Sequence, residues 1–196
     1  MDRHALHISL RRRPVVAAVA ASAAVAALLG GPAIQPADAA TCAGAYTMPK
    51  WGHADDSSRT LVCLVNRERA RYGLRPLRRV LPLATSAERH SVDMVRRTYF
   101  SHYTPAGLGP AERIRKVGYL SGARSWTVGE NIAWGSGVRA TPYQVHRALM
   151  NSPGHRANIL DRRYRDIGIG MSLGTPVPGI ARPGATYTQN FGTRTG

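Results

Sequence analysis

Helix-period patterns fill most of this 196-residue chain and strand-period patterns close it, and that order limits the fold more than any other feature. "DIGIGMSL" from Asp166 to Leu173 alternates, as does "ATYTQNFG" from Ala185 to Gly192, with the Pro- and Gly-rich "GTPVPGIARPG" between them. Period-two alternation bounded by turn formers predicts two antiparallel strands joined by a long loop. Upstream, "DDSSRTLVCLVNRERARYG" offers Ser57 or Ser58 as an N-cap, apolar Leu61, Leu64, Val65 and Tyr72 on one face, and Gly73 as a stop. A second helix is expected from about Leu83 to Tyr99, with Leu83, Ala87, His90, Met94 and Val95 inward and Arg89, Arg96 and Arg97 toward water. Shorter helices are expected from Pro110 to Val117 and after Thr141, where Pro142 occupies the first turn. "SWTVGENIAWGSG" is strand-prone but punctuated by glycine. Helices first and strands last predict an α+β domain rather than a parallel α/β one.

The first 39 residues read as an address rather than as structure. Arg11, Arg12 and Arg13 precede an apolar run from Val15 to Leu29, and "ADA" at 37 to 39 has the small residues of a cleavage site. The run is shorter than the roughly 18 to 20 residues of a bilayer span, so a secretory signal over 1–39 is favoured over a permanent anchor. "RRPVV" admits twin-arginine export beside the general route. Residues 40–56 lack periodicity and read as an extended arm, and 57–196 as one domain. Cys42 and Cys63 are the only cysteines, and an even count in an exported chain favours a disulfide between them. Two free thiols, or a lipidated Cys42, are the other readings.

The formal charge is +16, carried by 25 arginines and only 2 lysines. Removing the leader takes away four arginines and two aspartates and leaves +14. Such a chain is drawn to anionic envelope polymers and headgroups. No zinc-finger spacing or aromatic stacking box organises the basic residues, so no nucleic-acid partner is expected.

Three short segments carry candidate chemistry. In "MNSPGHRANIL", Ser152 can cap a turn with Pro153 in its first position. His155 then lies third, near the positive end of the helix dipole, which favours the neutral ring that binds a metal or accepts a proton. Asn158 shares its face. "VGENIA" puts Glu130 on the same side as Val128 and Ile132, and a carboxylate among apolar neighbours requires an arginine or a histidine. His102 in "YFSHYTP" sits at a helix exit, from which a ring can reach into a cleft. His90 and His146 fall within helices and read as packed side chains. Trp126, Trp134 and Tyr143 read equally as groove lining or as core.

"LVNRERARYGLRPL", "AERHSVDMVRRTYFSH", "GENIA", "MNSPGHRANIL", "DIGIG" and "YTQNFG", in that order over about Ser57 to Gly192, closely resemble bacterial members of the CAP superfamily of SCP-like extracellular proteins. The resemblance implies a three-layer α-β-α sandwich with a central antiparallel sheet. It also implies a cleft gathering two histidines and two acids, where some members hold a divalent metal. By motif, His102 and Glu130 match the first histidine and first acid, His155 resembles the second histidine, and Gln189 belongs to the adjoining strand motif. Thr186 stands where the eukaryotic pattern has its second histidine, and Leu149 where it has its second acid. The implied cleft is therefore formed by His102, Glu130, His155, Asn158 and Gln189, with His102, Glu130 and His155 as ligands of an ion such as Zn²⁺.

No GxSxG elbow, HExxH helix or catalytic cysteine is present. The favoured expectation is a secreted, monomeric module that binds an extracellular lipid, glycan or peptide. A metal-dependent extracellular hydrolase is the alternative, since three ligands leave a fourth position for water. The +14 charge predicts attachment to washed, anionic cell-wall material that weakens as the Debye length shrinks from about 10 Å at 0.1 M salt to about 3 Å at 1 M. Sedimentation with wall material across that salt range measures it, and binding indifferent to salt would count against an electrostatic cause.

Overall fold

The structure, a computed structural model, describes residues 42–180 and 183–196; the segment read as a secretory signal lies outside them. Five α-helices are described: α1 (Ala54–Arg71), α2 (Leu81–Arg96), α3 (Pro110–Lys116), α4 (Pro142–Met150) and α5 (Pro153–Leu160). The strands are β1 (Arg78–Arg79), β2 (Ser125–Ser136), β3 (Asp166–Leu173) and β4 (Gly184–Thr195), arranged β1-β3-β4-β2. The expected α+β sandwich with helices on both sheet faces is what the chain forms. The long pairings β2–β4 and β3–β4 are antiparallel, and the two-residue β1 pairs in parallel with β3.

Several boundaries differ from the sequence reading, for local reasons. Helix α1 begins at Ala54 rather than at Ser57, because Asp55 and Asp56 in its first turn suit the positive end of the helix dipole. Ser58 instead turns its hydroxyl back to the Ala54 carbonyl. The arm over 40–56 is thereby shortened, and its described part is tied down by a Cys42–Cys63 disulfide. Helix α2 starts two residues early, at Leu81, with Pro82 in its first turn. The glycines of "SWTVGENIAWGSG" do not break the strand, and β2 runs unbroken for 12 residues against β4.

Register fixes which side chains share a face. Gly168, Asn190 and Glu130 are cross-strand neighbours, as are Ile169, Gln189 and Asn131, and successive residues point to opposite faces. On one face Ile167, Ile169, Met171, Tyr187 and Phe191 pack with residues of α1, α4 and α5, such as Leu61, Leu64, Leu149 and Ile159. On the other lie α2 and α3, where Leu83, Ile114, Tyr119 and Leu120 form a second cluster.

Helix α2 rests directly on β3. A Cβ at Gly168 would stand 2.0 Å from the Ala84 backbone nitrogen, and one at Gly170 would stand 2.0 Å from that of Glu88. The obstacle in each case is helix backbone, which cannot swing aside. Gly170→Ala should therefore cost about 3 kcal/mol of stability, at the upper end of the usual range for overpacking. Gly154→Ala, which meets nothing within 4 Å, should stay within about 0.5 kcal/mol of wild type. Urea denaturation of the two variants makes the comparison, and equal losses would show that α2 lifts off β3 without cost.

Candidate functional site

The site starts at the end of α2. Its last turn closes with the Tyr99 N–H donating to the Met94 carbonyl at 3.1 Å and that of Thr98 to Val95 at 3.4 Å, with Thr98 itself left-handed at φ 52°. This is a Schellman stop, which usually employs glycine; a β-branched residue there is strained. The turn sends Ser101 and His102 back along the helix. His90, buried in the second half of α2, meets the Ser101 carbonyl with Nε2 at 3.0 Å. Tyr99 donates to Asp93 at 2.5 Å, and its hydroxyl lies 3.5 Å from Nδ1 of His90.

Glu130, the central residue of β2 on this face, has a side chain only 1% exposed. Its Oε1 lies 2.9 Å from Nδ1 of His102, and its Oε2 accepts from Nη2 of Arg113 at 2.5 Å. Arg113, on α3, also donates through Nη1 to the carbonyls of His102 (2.7 Å) and Leu108 (2.8 Å). One guanidinium thus holds the carboxylate and the loop that carries its histidine. Turning the Asn190 amide to its satisfied orientation adds a donor to Glu130 Oε2 at 3.0 Å and an acceptor for the Ala87 N–H at 3.2 Å. His90 Nε2 stands 3.9 Å from Glu130 Oε1. Burial pushes the His90 imidazole toward its neutral form, against the pull of Glu130.

Asn131, one residue along β2, serves the other face. Its Nδ2 donates to the His155 carbonyl at 3.1 Å and to Gln189 Oε1 at 3.2 Å, while Nδ2 of Asn158 reaches the Glu130 carbonyl at 3.2 Å and Asn131 Oδ1 at 2.9 Å. These amides fasten α5 to the free edge of β2. Ser152 precedes α5 in extended conformation with Pro153 at the first position, as expected, but it makes no side-chain cap; its Oγ lies 2.8 Å from His155 Nδ1.

The structure therefore joins His102 to Glu130 directly, and groups Asn158 and Gln189 around Asn131 beneath His155. His155 turns its Nδ1 to Ser152, while Glu130 is engaged by His102 and Arg113. Among the described residues no group of three or more His, Cys, Asp and Glu side chains is placed to hold a metal ion. The physical reason is charge: Arg113 already neutralises Glu130, and a cation seated there would face a guanidinium. Sequence reasoning did not find Arg113, which in "PAERIRK" resembles any exposed helical charge. Its one signal was the need of Glu130 for a cationic partner. Trp126 lies under Arg115, with the guanidinium 5.7 Å from the ring, and Tyr143 packs on Tyr46 at 4.7 Å.

The fold and motifs agree with known proteins. A family model described as CAP, cysteine-rich secretory protein family, matches residues 62–191. YkwD of Bacillus subtilis is 37% identical over 131 residues, which cover 67% of this chain and 45% of YkwD. The chain thus spans less than half the length of that relative. An extracellular protein containing an SCP domain from Bacillus anthracis superposes with a TM-score of 0.56 at 28% identity, covering 70% of this chain and 40% of that one. An outer surface protein of Borrelia burgdorferi shares the fold, with a TM-score of 0.55 at 20% identity over 69% of this chain and 90% of its own.

The engaged carboxylate predicts a plain calorimetric result. Zn²⁺ titrated into wild type and into His155→Ala should give indistinguishable affinities, because the Glu130 carboxylate is already engaged by Arg113 and His102 while the His155 ring meets Ser152. A loss of tenfold or more in the variant, about 1.4 kcal/mol, would restore the three-ligand site.

Proposed function

We propose that this chain, which belongs to the CAP cysteine-rich secretory protein family, is an extracellular binding module in which His102 meets the ligand and no metal-dependent hydrolysis takes place. One observation carries the reading: the Glu130 carboxylate is buried and engaged on both oxygens, while the His102 side chain is 39% exposed. A carboxylate on Nδ1 selects the tautomer with hydrogen at Nδ1. Nε2 is then a fixed, outward acceptor, and on protonation a donor. Tyr103, the next residue, is 61% exposed. A half-exposed imidazole nitrogen suits a polar headgroup, a sugar hydroxyl or a peptide amide.

The arrangement of Glu130 and the nearby serines favours binding over hydrolysis. Glu130 is committed to Arg113 and cannot act as a free general base. The Ser101 hydroxyl accepts from the Tyr103 N–H at 3.1 Å, and that of Ser91 is spent on Gly170 and Thr188. Among the described residues neither is hydrogen-bonded to a histidine or carboxylate side chain that could activate it.

An extracellular setting is supported by the Cys42–Cys63 bridge, which persists in oxidising compartments, and by the extracellular SCP-domain protein of similar fold. No helix among the described residues is long and apolar enough to cross a membrane. The formal charge adds attraction to an anionic envelope.

Protein secreted by its own host, purified as wild type and as His102→Ala, is the test. Mass spectrometry should find a lipid, glycan or peptide that accompanies the wild type and is depleted by about tenfold in the variant, as loss of a hydrogen bond to a charged or polarised group implies. Turnover of lipid, peptide or wall substrates that a chelator stops and His102→Ala abolishes would overturn the proposal in favour of the hydrolase.

A further inference from the structure

Behind the Arg113 guanidinium, on the same side of the sheet, lies a second cavity that the His102 site does not use. It occupies about 330 Å³ between α2, α3 and the loop joining them, a size that suits a small ligand. Its walls divide by chemistry. Ala106, Leu108 and Val117 give an apolar side, while Arg89, Arg97 and Lys116 bring positive charge against the single acid Asp93. Arg97 stands 3.8 Å from Asp93, but neither Arg89 nor Lys116 forms an ion pair among the described residues. His90 lines the cavity as well, and its burial favours the neutral ring.

Arg113 also lines it, with a side chain only 9% exposed. Nη1 and Nη2 are occupied by carbonyls and by Glu130, whereas its buried Nε has no acceptor among the described residues. That Nε is shut off from solvent, so Arg113 adds positive charge to the cavity wall rather than a free N–H for an occupant. Excess positive charge and an apolar wall within one cavity, with the Arg113 guanidinium as part of its lining, define the ligand class.

We propose that this cavity binds a small organic carboxylate, with its apolar end against Leu108 and Val117 and its charge between Arg89 and Lys116, in the field of the Arg113 guanidinium. The inference does not depend on what His102 binds. It does connect the two places, because Arg113 touches Glu130 and the His102 carbonyl with its other nitrogens. An occupant of the cavity is one guanidinium away from the exposed imidazole.

Phenylacetate is a suitable probe, with phenylacetamide as its neutral isostere and inorganic phosphate as an anion lacking the apolar end. Calorimetry should give saturable phenylacetate binding that falls by about tenfold or more in the exposed-residue double variant Arg89→Gln/Lys116→Gln, in line with loss of charge-assisted hydrogen bonds. Arg156→Gln, on α5 and outside this cavity, should bind as wild type does. Phenylacetamide and phosphate should each bind more weakly than phenylacetate. In the NMR spectrum, the His102 ring signals should move on addition of phenylacetate and stay put on addition of phenylacetamide. The proposal is overturned by no saturable binding at millimolar phenylacetate, by equal binding of the amide or of phosphate, or by wild-type affinity in a double variant whose circular dichroism is unchanged.

Discussion

A carboxylate taken out of water must be neutralised and hydrogen-bonded, and around Glu130 that requirement organises one whole side of the molecule. Its charge is met by Arg113 from α3 and by His102 from the loop after α2. They lie 17 and 28 residues from it in sequence, so the ion pairs join separate segments of the chain. Arg113 extends the same demand to the His102 and Leu108 carbonyls. Removing one partner of such a pair leaves a stranded charge, which is far more damaging than never having buried either. The strained left-handed Thr98 makes sense in that light: the turn that delivers His102 is held by what His102 meets.

The adjacent residue shows how finely strand register divides the chemistry. Glu130 points to the α2 and α3 layer and Asn131 to the α5 layer, so two consecutive side chains of β2 serve two separate polar networks. A slip of one residue between β2 and β4 would exchange them, placing a carboxylate among the amides and an amide against Arg113. The close approach of α2 to Gly168 and Gly170 secures the neighbouring strand against such a slip, because larger side chains on that face would strike the helix backbone.

Much of this was legible in the sequence because it depends on periodicity. The alternation of "DIGIGMSL" and "ATYTQNFG" specified β3 and β4, and the apolar stripe of Leu83, Ala87, His90 and Met94 specified the buried face of α2. The pairing of His102 with Glu130 was available only through resemblance, since 28 residues separate them and no local rule joins them. Other features had no periodic trace. Arg113 differs from its solvated neighbours only in what α3 is packed against, and β1, two arginines long, owes its existence to pairing with Asp166 and Ile167. The same holds for the carboxylate's partners: ligand types can be counted in a sequence, but a cation such as Arg113 that reaches Glu130 through space cannot.

Strand β4 is hydrogen-bonded along its length to both β2 and β3, yet it is the last of the domain's elements in chain order. Until Gly184–Thr195 is available, β2 has no partner strand and β3 has only two residues of β1 to pair with. The helical layers consequently have no sheet on which to settle. A chain of this design cannot fold piecemeal from its amino terminus as it emerges from a ribosome or a translocation pore. It commits late and all at once, with the slow, topology-limited kinetics that distant strand pairing imposes.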